Sequence, residues 1–263
     1  MRQTVRAKKH LGQHFLKDES VASRIVEALL EKDSLNPIIE VGPGTGVLTQ
    51  FLVKQPAFFA VDVDEESVEY LRAKYPGNKK NILLADFLET DLVKIAGNKF
   101  NVIGNFPYNI SSQIMFKVLE DKNHVDYVVG MFQKEVADRL AEKPGSRVYG
   151  ILSVLLQAYF DIEYLFTVDK SLFDPPPKVQ SAVIRLTRNK VQSLGCDEVL
   201  FKKVVKTTFN QRRKTIRNSI RALFNNNEIR DPLLDKRPEQ LSVAQFIELT
   251  LLVQQAGSEL PAK

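Results

Sequence analysis

Ile38-Ile39-Glu40-Val41-Gly42-Pro43-Gly44-Thr45-Gly46-Val47-Leu48-Thr49 is the stretch that decides the fold of this 263-residue chain. The β-branched residues at 38–41 predict a short buried strand, and the glycines after them predict a sharp turn into a helix. Glycine there lets a ligand approach the main chain without meeting a Cβ. The spacing is G-x-G-x-G followed by Val47, so the dinucleotide fingerprint G-x-G-x-x-G is not satisfied, and no G-x-x-x-x-G-K-[ST] phosphate loop is present. Taken alone, the turn reads equally as a cofactor loop or as a tight connection.

Outward from this turn, short apolar runs alternate with helical patterns. Strands are predicted at 58–63, 81–85, 100–104 and 125–132, and helices at 18–32, 65–75, 111–120 and 133–142. That alternation predicts an α/β fold, a mostly parallel sheet with helices on both faces. Beyond Pro144 and Gly145 a helix is predicted at 149–158 and strands at 159–167 and 180–187. Polar residues at 189–195 mark a boundary to an all-helical tail. The expected domains are 1–188 and 189–263.

Acidic residues stand at successive strand ends. Asp62 lies about 20 residues after the glycine turn, where a carboxylate in this architecture can accept from both ribose hydroxyls. Asp86 follows the third strand, placed to accept from an exocyclic amino group, and Phe87 beside it can cover an adenine ring. The competing reading makes Asp62 and Asp86 helix N-caps. Glu40 at the turn repels a pyrophosphate. Glu40, Asp62 and Asp86 together fit a cationic adenosine cofactor without phosphates, which is a description of S-adenosylmethionine.

The fourth strand ends in Asn105-Phe106-Pro107-Tyr108. The Asn105 amide oxygen and a neighbouring main-chain carbonyl can both accept from an exocyclic amine, and Tyr108 offers a face to the attached base. Adenine N6 is a poor nucleophile because its lone pair is delocalised into the ring. Two acceptors on its hydrogens favour a more tetrahedral nitrogen, so catalysis is mostly positioning and electrostatics. The alternative is a proline-anchored turn with a core tyrosine. Phe173-Asp174-Pro175-Pro176-Pro177-Lys178 is a second aromatic loop, since the prolines exclude helix interior and central strand. It reads equally as a rigid support for Phe173 against a base or a cation and as a structural stop before the last strand.

The formal charge of +5 conceals an uneven distribution of +5 over residues 1–17, −6 over 18–185 and +6 over 186–263. Basic ends around an acidic middle suggest a polyanion partner gripped at the ends. Residues 200–221 carry eight cations and no acid, among them Lys202, Lys206, Arg212, Arg213, Lys214, Arg217 and Arg221. Leu200, Phe201, Val204 and Val205, then Ile216, Ile220 and Leu223, supply an apolar stripe on the other side. Phosphate binding is the favoured reading of this run, against a merely solvated helix face. The single cysteine, Cys196, excludes an internal disulfide and fits a reducing compartment. Three histidines and one cysteine leave few soft ligands for a structural zinc. No apolar run is long enough to span a bilayer, so a cytoplasmic location away from membranes is expected.

These motifs together resemble the rRNA adenine N6,N6-dimethyltransferases, most closely the bacterial KsgA type that acts on small-subunit rRNA. The resemblance covers nearly the whole chain: 9–16 is similar to the family's N-terminal cofactor motif, 40–49 to its E-x-G-P-G-x-G-x-L-T loop, and 105–108 to its target-amine motif. The stretch 133–140 resembles a following signature, and 173–186 resembles F-x-P-x-P-K-V-x-S-A-V. Residues 208–215 and 237–242 resemble C-terminal signatures of the KsgA type. The resemblance implies a Rossmann-like class I methyltransferase fold with a small C-terminal helical domain that binds rRNA. It implies that His14, Leu16, Gly42, Asp62, Asp86 and Asn105 hold S-adenosylmethionine, joined by Gly44 and Phe87 from the reading of the turn and strand ends, that Asn105, Pro107, Tyr108 and Phe173 handle the target adenine, and that no metal is needed. The ribose acid of the family is usually Glu, and Asp62 is one methylene shorter. The implied activity is dimethylation of two adjacent adenosines near the 3′ end of 16S rRNA, by a monomer acting on a pre-30S particle. The rival readings are a large-subunit rRNA adenine methyltransferase and a nucleic-acid-binding assembly or transcription factor on the same fold.

Overall fold

A computed structural model of the chain describes residues 5–32, 34–223 and 230–258. Arg2 of the basic arm, and the parts of the expected helical tail at 224–229 and 259–263, lie outside the described residues. The chain divides into two compact units, Met1–Ala137 with Asp161–Arg188, and Asp138–Phe160 with Asn189–Lys263. One of these divisions falls between Arg188 and Asn189. The segment 138–160, expected in the first domain, groups by contact with 189–263. Its helix, Ile151–Gln157, buries Val154, Leu155 and Leu156 and packs against helices of the C-terminal unit, a long-range pairing that local periodicity cannot reveal.

The first unit is built on a sheet of β2 (Ile38–Val41), β3 (Phe58–Asp62), β4 (Ile82–Leu84), β5 (Phe100–Asn105), β6 (Val125–Gln133), β7 (Phe160–Val168) and β9 (Ser181–Arg188). Their spatial order is β4-β3-β2-β5-β6-β9-β7. The pairings from β4 through β6 are parallel, and β9 runs antiparallel to β6. All four residues of β2 are buried, as a parallel strand covered on both faces requires. After β2 the chain moves outward through β3 and β4, then returns to β5 on the other side of β2. The carboxyl ends of β2 and β5 therefore flank the switch point where ligands bind in such sheets.

Two short strands and a helix were not foreseen. Phe15–Leu16 (β1) pairs antiparallel with Phe173–Asp174 (β8), with Leu16 opposite Phe173. Both of these residues are 2% exposed or less and belong to the hydrophobic core. A short helix, α4 (Leu92–Ala96), stands between β4 and β5. The helices α1 (Glu19–Leu30), α3 (Glu65–Lys74) and α5 (Ser111–Glu120) follow the predicted patterns. Asp18 and Asp64 cap α1 and α3 by accepting from main-chain N–H groups in the first turn. The second unit contains α7 (Ile151–Gln157), α8 (Glu198–Asn210), α9 (Ile216–Ser219) and α10 (Val243–Ser258), with Tyr149, Phe209 and Phe246 in successive ring contact at its centre.

Candidate active site

Four strand ends of the first unit converge on a cavity of about 360 Å³, within the size range of small-molecule sites. β2 delivers Gly42 and Gly44, β3 delivers Asp62 and Val63, the turn after β4 delivers Asp86 and Leu88, and β5 delivers Asn105 with Pro107 and Tyr108 beyond it. Residues 11–15 of the N-terminal arm complete the wall.

The glycine turn is left-handed at Gly42, Gly44 and Gly46, with φ of 64°, 53° and 81°. A Cβ on Gly44 would stand 2.7 Å from the Phe15 ring, so the arm can lie on the turn only because this position is glycine. A Cβ on Gly42 would stand 3.6 Å from the Pro107 ring, between two residues that both line the cavity.

The three acids have separate fates. Asp62 is 6% exposed and lines the cavity. Its carboxylate accepts from the main-chain N–H of Gly44 at 3.2 Å and of Asp64 at 2.9 Å. Burial pushes its pKa up, opposed by these two bonds. It caps no helix; that task falls to Asp64. Asp86 is exposed at the cavity wall and accepts from Leu88 N–H at 2.8 Å, so it both shapes its turn and faces the ligand space. Glu40 requires a correction. It is 1% exposed and lies beneath the turn, beside a separate small cavity of about 20 Å³, with Thr49 Oγ1 donating to it at 2.8 Å. Burial lifts its pKa to about 8, the Thr49 bond opposing this and the charge of Asp62 adding to it. Glu40 is thus largely neutral at pH 7 and supplies no repulsion toward a pyrophosphate in the free protein.

Asn105 ends β5 with its Nδ2–H donated to the His14 carbonyl at 2.9 Å. This leaves Oδ1 as the acceptor end of an oriented amide. The His14 ring stacks on Tyr108, with centroids 5.3 Å apart and planes at 28°. His14 Nδ1–H donates to the Pro175 carbonyl at 2.7 Å. Tyr108 shares a 2.5 Å hydrogen bond with Ser181 Oγ, and burial raises its pKa against that bond. Phe106 is fully buried, edge-on to Phe132 at 5.0 Å, and anchors the turn.

Of the residues singled out from sequence, His14, Gly42, Gly44, Asp62, Asp86, Asn105, Pro107 and Tyr108 line the cavity, and Leu16, Phe87 and Phe173 do not. Leu16 and Phe173 face the core as partners across β1 and β8. The triproline loop reaches the site through its Pro175 carbonyl, which accepts from the cavity-lining His14. Phe87 is 3% exposed, and its neighbour Leu88 takes the cavity wall. Sequence reading also passed over Gln13 and Val63. Val63 is 49% exposed, an apolar side chain left uncovered directly after the ribose-side acid.

In the second unit Lys202, Lys206, Arg213, Lys214 and Arg221 are exposed. Arg212 instead approaches Glu239 at 3.6 Å and donates to the Ser146 carbonyl at 3.4 Å, and Arg217 pairs with Asp235 at 2.9 Å. The run contains no acid, yet Arg212 and Arg217 find acids brought from 239 and 235. Among the described residues no group of three or more His, Cys, Asp or Glu is placed to hold a metal, and no helix is long and apolar enough to cross a membrane.

Sheet order, glycine turn and the acids at successive strand ends define a Rossmann-like class I S-adenosylmethionine-dependent methyltransferase. Residues 4–255 match the family described as Ribosomal RNA adenine dimethylase, and the chain belongs to that family. It is 57% identical over 264 residues to the Ribosomal RNA small subunit methyltransferase A of Parabacteroides distasonis, covering 97% of this chain and 99% of that one. It is likewise 57% identical over 256 residues to the protein of the same name from Bacteroides fragilis, covering 96% and 94%. Among solved structures, a dimethyladenosine transferase from Plasmodium falciparum shares the fold with a TM-score of 0.77 at 24% identity, over 93% of this chain and 98% of that one. The 23S rRNA methyltransferase ErmE superposes with a TM-score of 0.64 at 27% identity, over 89% and 98%.

Proposed function

We propose that this chain dimethylates the N6 amines of two adjacent adenosines near the 3′ end of 16S rRNA, as a cytoplasmic monomer acting on a pre-30S particle. The oriented amide of Asn105 in the cavity wall carries the chemical part of this reading. Relatives at 57% identity named for the small subunit favour it over the large-subunit alternative, since ErmE stands at 27%.

The residues present fit S-adenosylmethionine, which when bound supplies an electrophilic methyl group. Asp62 and Asp86 would accept from the ribose hydroxyls and the adenine amino group, Val63 and Leu88 would cover the base, and the cavity beside Gly42 and Gly44 would take the remainder. Asn105 Oδ1 and a main-chain carbonyl of the Asn105–Tyr108 turn accept from the two hydrogens of the target amine. Tyr108, with one face held by His14, offers the other to the target base. Because the work is positioning, the turn must be rigid, and the buried Phe106 and the Tyr108–Ser181 bond make it so. The exposed cations Lys202, Lys206, Arg213, Lys214 and Arg221 bind rRNA phosphates, with Arg212 and Arg217 maintaining the fold that presents them.

The test is complementation. Cells lacking their own small-subunit dimethylase and expressing this chain should regain two adjacent N6,N6-dimethyladenosines near the 16S 3′ end by mass spectrometric mapping. Modification of 23S rRNA instead would support the large-subunit reading, and no modification would support a binding role without turnover.

A further inference from the structure

Asp64 stands two residues beyond Asp62 and is 2% exposed. Its carboxylate does two kinds of work. Locally it caps α3, accepting from Glu66 N–H at 3.2 Å and from Ser67 Oγ at 3.0 Å. It also reaches the N-terminal arm, where Gln13 Nε2–H donates to it at 3.0 Å and Lys8 Nζ forms an ion pair with it. Helix capping does not call for these last two, which come from 51 and 56 residues away. Lys8 is also 3.5 Å from Glu66, and the Lys8 main-chain N–H donates to Gln13 Oε1 at 2.8 Å, so both arm residues are fixed to each other and to Asp64.

The arm is thereby fastened at two points. Gln13 is tied to the end of β3 through Asp64, and the carbonyl of His14, the next residue, is tied to the end of β5 through Asn105. Between these strands lies β2, and the Phe15 ring rests on its Gly44. Residues 11–15, which the two ties hold in place, form one wall of the cavity. The main-chain N–H of Asp64 also donates to Asp62, so the same residue touches the ribose-side acid and the arm. Although burial raises the Asp64 pKa, the bonds from Gln13, Lys8 and Ser67 outweigh it and hold the carboxyl below the usual range. It stays ionised while it clasps Lys8.

We infer that Asp64 is a positioning residue of the cofactor site, pinning the arm through Gln13 and Lys8 so that the wall of the cavity is in place before ligand enters. The inference rests on the assignment of this cavity to S-adenosylmethionine. It separates cofactor capture from methyl transfer: the Asp64 tie governs affinity, and the Asn105 tie governs the reacting amide.

Two conservative variants test it. Asp64→Asn keeps the helix cap through its one remaining oxygen, since asparagine caps as well as aspartate, but turns an NH₂ toward the Gln13 donor and loses the charge for Lys8. Lys8→Met removes the same pair from its partly exposed side. Isothermal titration with S-adenosylmethionine and S-adenosylhomocysteine should show each variant binding roughly tenfold more weakly, the loss expected for one charged hydrogen bond. The double variant should be little weaker than Asp64→Asn alone, because Asp64→Asn already breaks the charged pair that Lys8→Met removes. KM for S-adenosylmethionine should rise more than kcat falls, and tryptic cleavage after Lys9 should become faster, with the melting temperature held. Wild-type affinity and an unchanged cleavage rate in Asp64→Asn would overturn the inference, as would a loss of melting temperature with kcat and KM affected alike, which is the mark of a plain cap. If the unsubstituted protein fails to bind S-adenosylmethionine, the proposed function itself falls, a result distinct from either.

Discussion

Asn105 donates its Nδ2–H to the main-chain carbonyl of His14 at 2.9 Å, tying the last residue of β5 to an arm 91 residues earlier in the chain. The bond fixes which end of the amide faces the target. An asparagine free to rotate would present its NH₂ to an exocyclic amine half the time, a donor facing a donor. The His14 side chain stacks on Tyr108, so the same arm residue sets both the acceptor and the aromatic face.

Asn105→Ala should therefore lower kcat for methyl transfer by at least about a hundredfold, the scale seen when one aligned polar group is removed from a transition state. Folding should survive, because a partly exposed hydrogen bond contributes only about 1 kcal/mol. Single-turnover rates and thermal melts on the same preparation check both halves.

Gly44→Ala should destabilise the protein by about 1–3 kcal/mol, since the new methyl must adopt a left-handed conformation and stands 2.7 Å from the Phe15 ring. The arm must move to relieve this, so cofactor affinity should fall with stability. Denaturant titration and cofactor titration measure the two.

Glu40 makes stability depend on pH in a defined direction. Its pKa is near 8 in the folded chain against an ordinary 4.5, so between these values the folded state keeps a proton that the unfolded state has lost. Stability falls as pH rises through that window. Glu40→Gln, which stays neutral and can still accept from Thr49, should flatten the decline between pH 5 and 8. Asp62, also raised by burial, should leave a smaller slope of the same sign. Denaturation midpoints at a series of pH values read this directly.

Neutralising Arg213, Lys214 and Arg221 together should weaken rRNA binding and reduce the slope of log affinity against log salt by up to about 2. Arg217→Ala should change that slope less, because Arg217 already pairs with Asp235. Filter binding across a salt series distinguishes these outcomes.

The sheet, its order of elements and the acids at its strand ends were legible because each rests on a local pattern. The strand at 38–41, for example, is bounded as its apolar run predicts, and α5 spans the predicted 111–120. What could not be read depends on long-range pairing. Phe173 and Leu16 turn to the core because β1 meets β8 across more than 150 residues, and no run of aromatics and prolines shows which side of its strand will be covered. Arg212 and Arg217 look free in a run without acids, and only the folded chain brings Glu239 and Asp235 to them. Asp64 was overlooked for a different reason. Standing before Glu65, Glu66 and Ser67 it reads as a helix cap, which it is, and its ties to Lys8 and Gln13 leave no local mark.

The most direct measurement of the central claim is transfer of radiolabelled methyl from S-adenosylmethionine to undermethylated small ribosomal subunits, followed by nuclease digestion and chromatography of the nucleosides. The account predicts label in N6,N6-dimethyladenosine from two adjacent adenosines near the 16S 3′ end, lost in Asn105→Ala. Label absent with the unsubstituted protein, placed on another nucleoside, or undiminished in Asn105→Ala would contradict it.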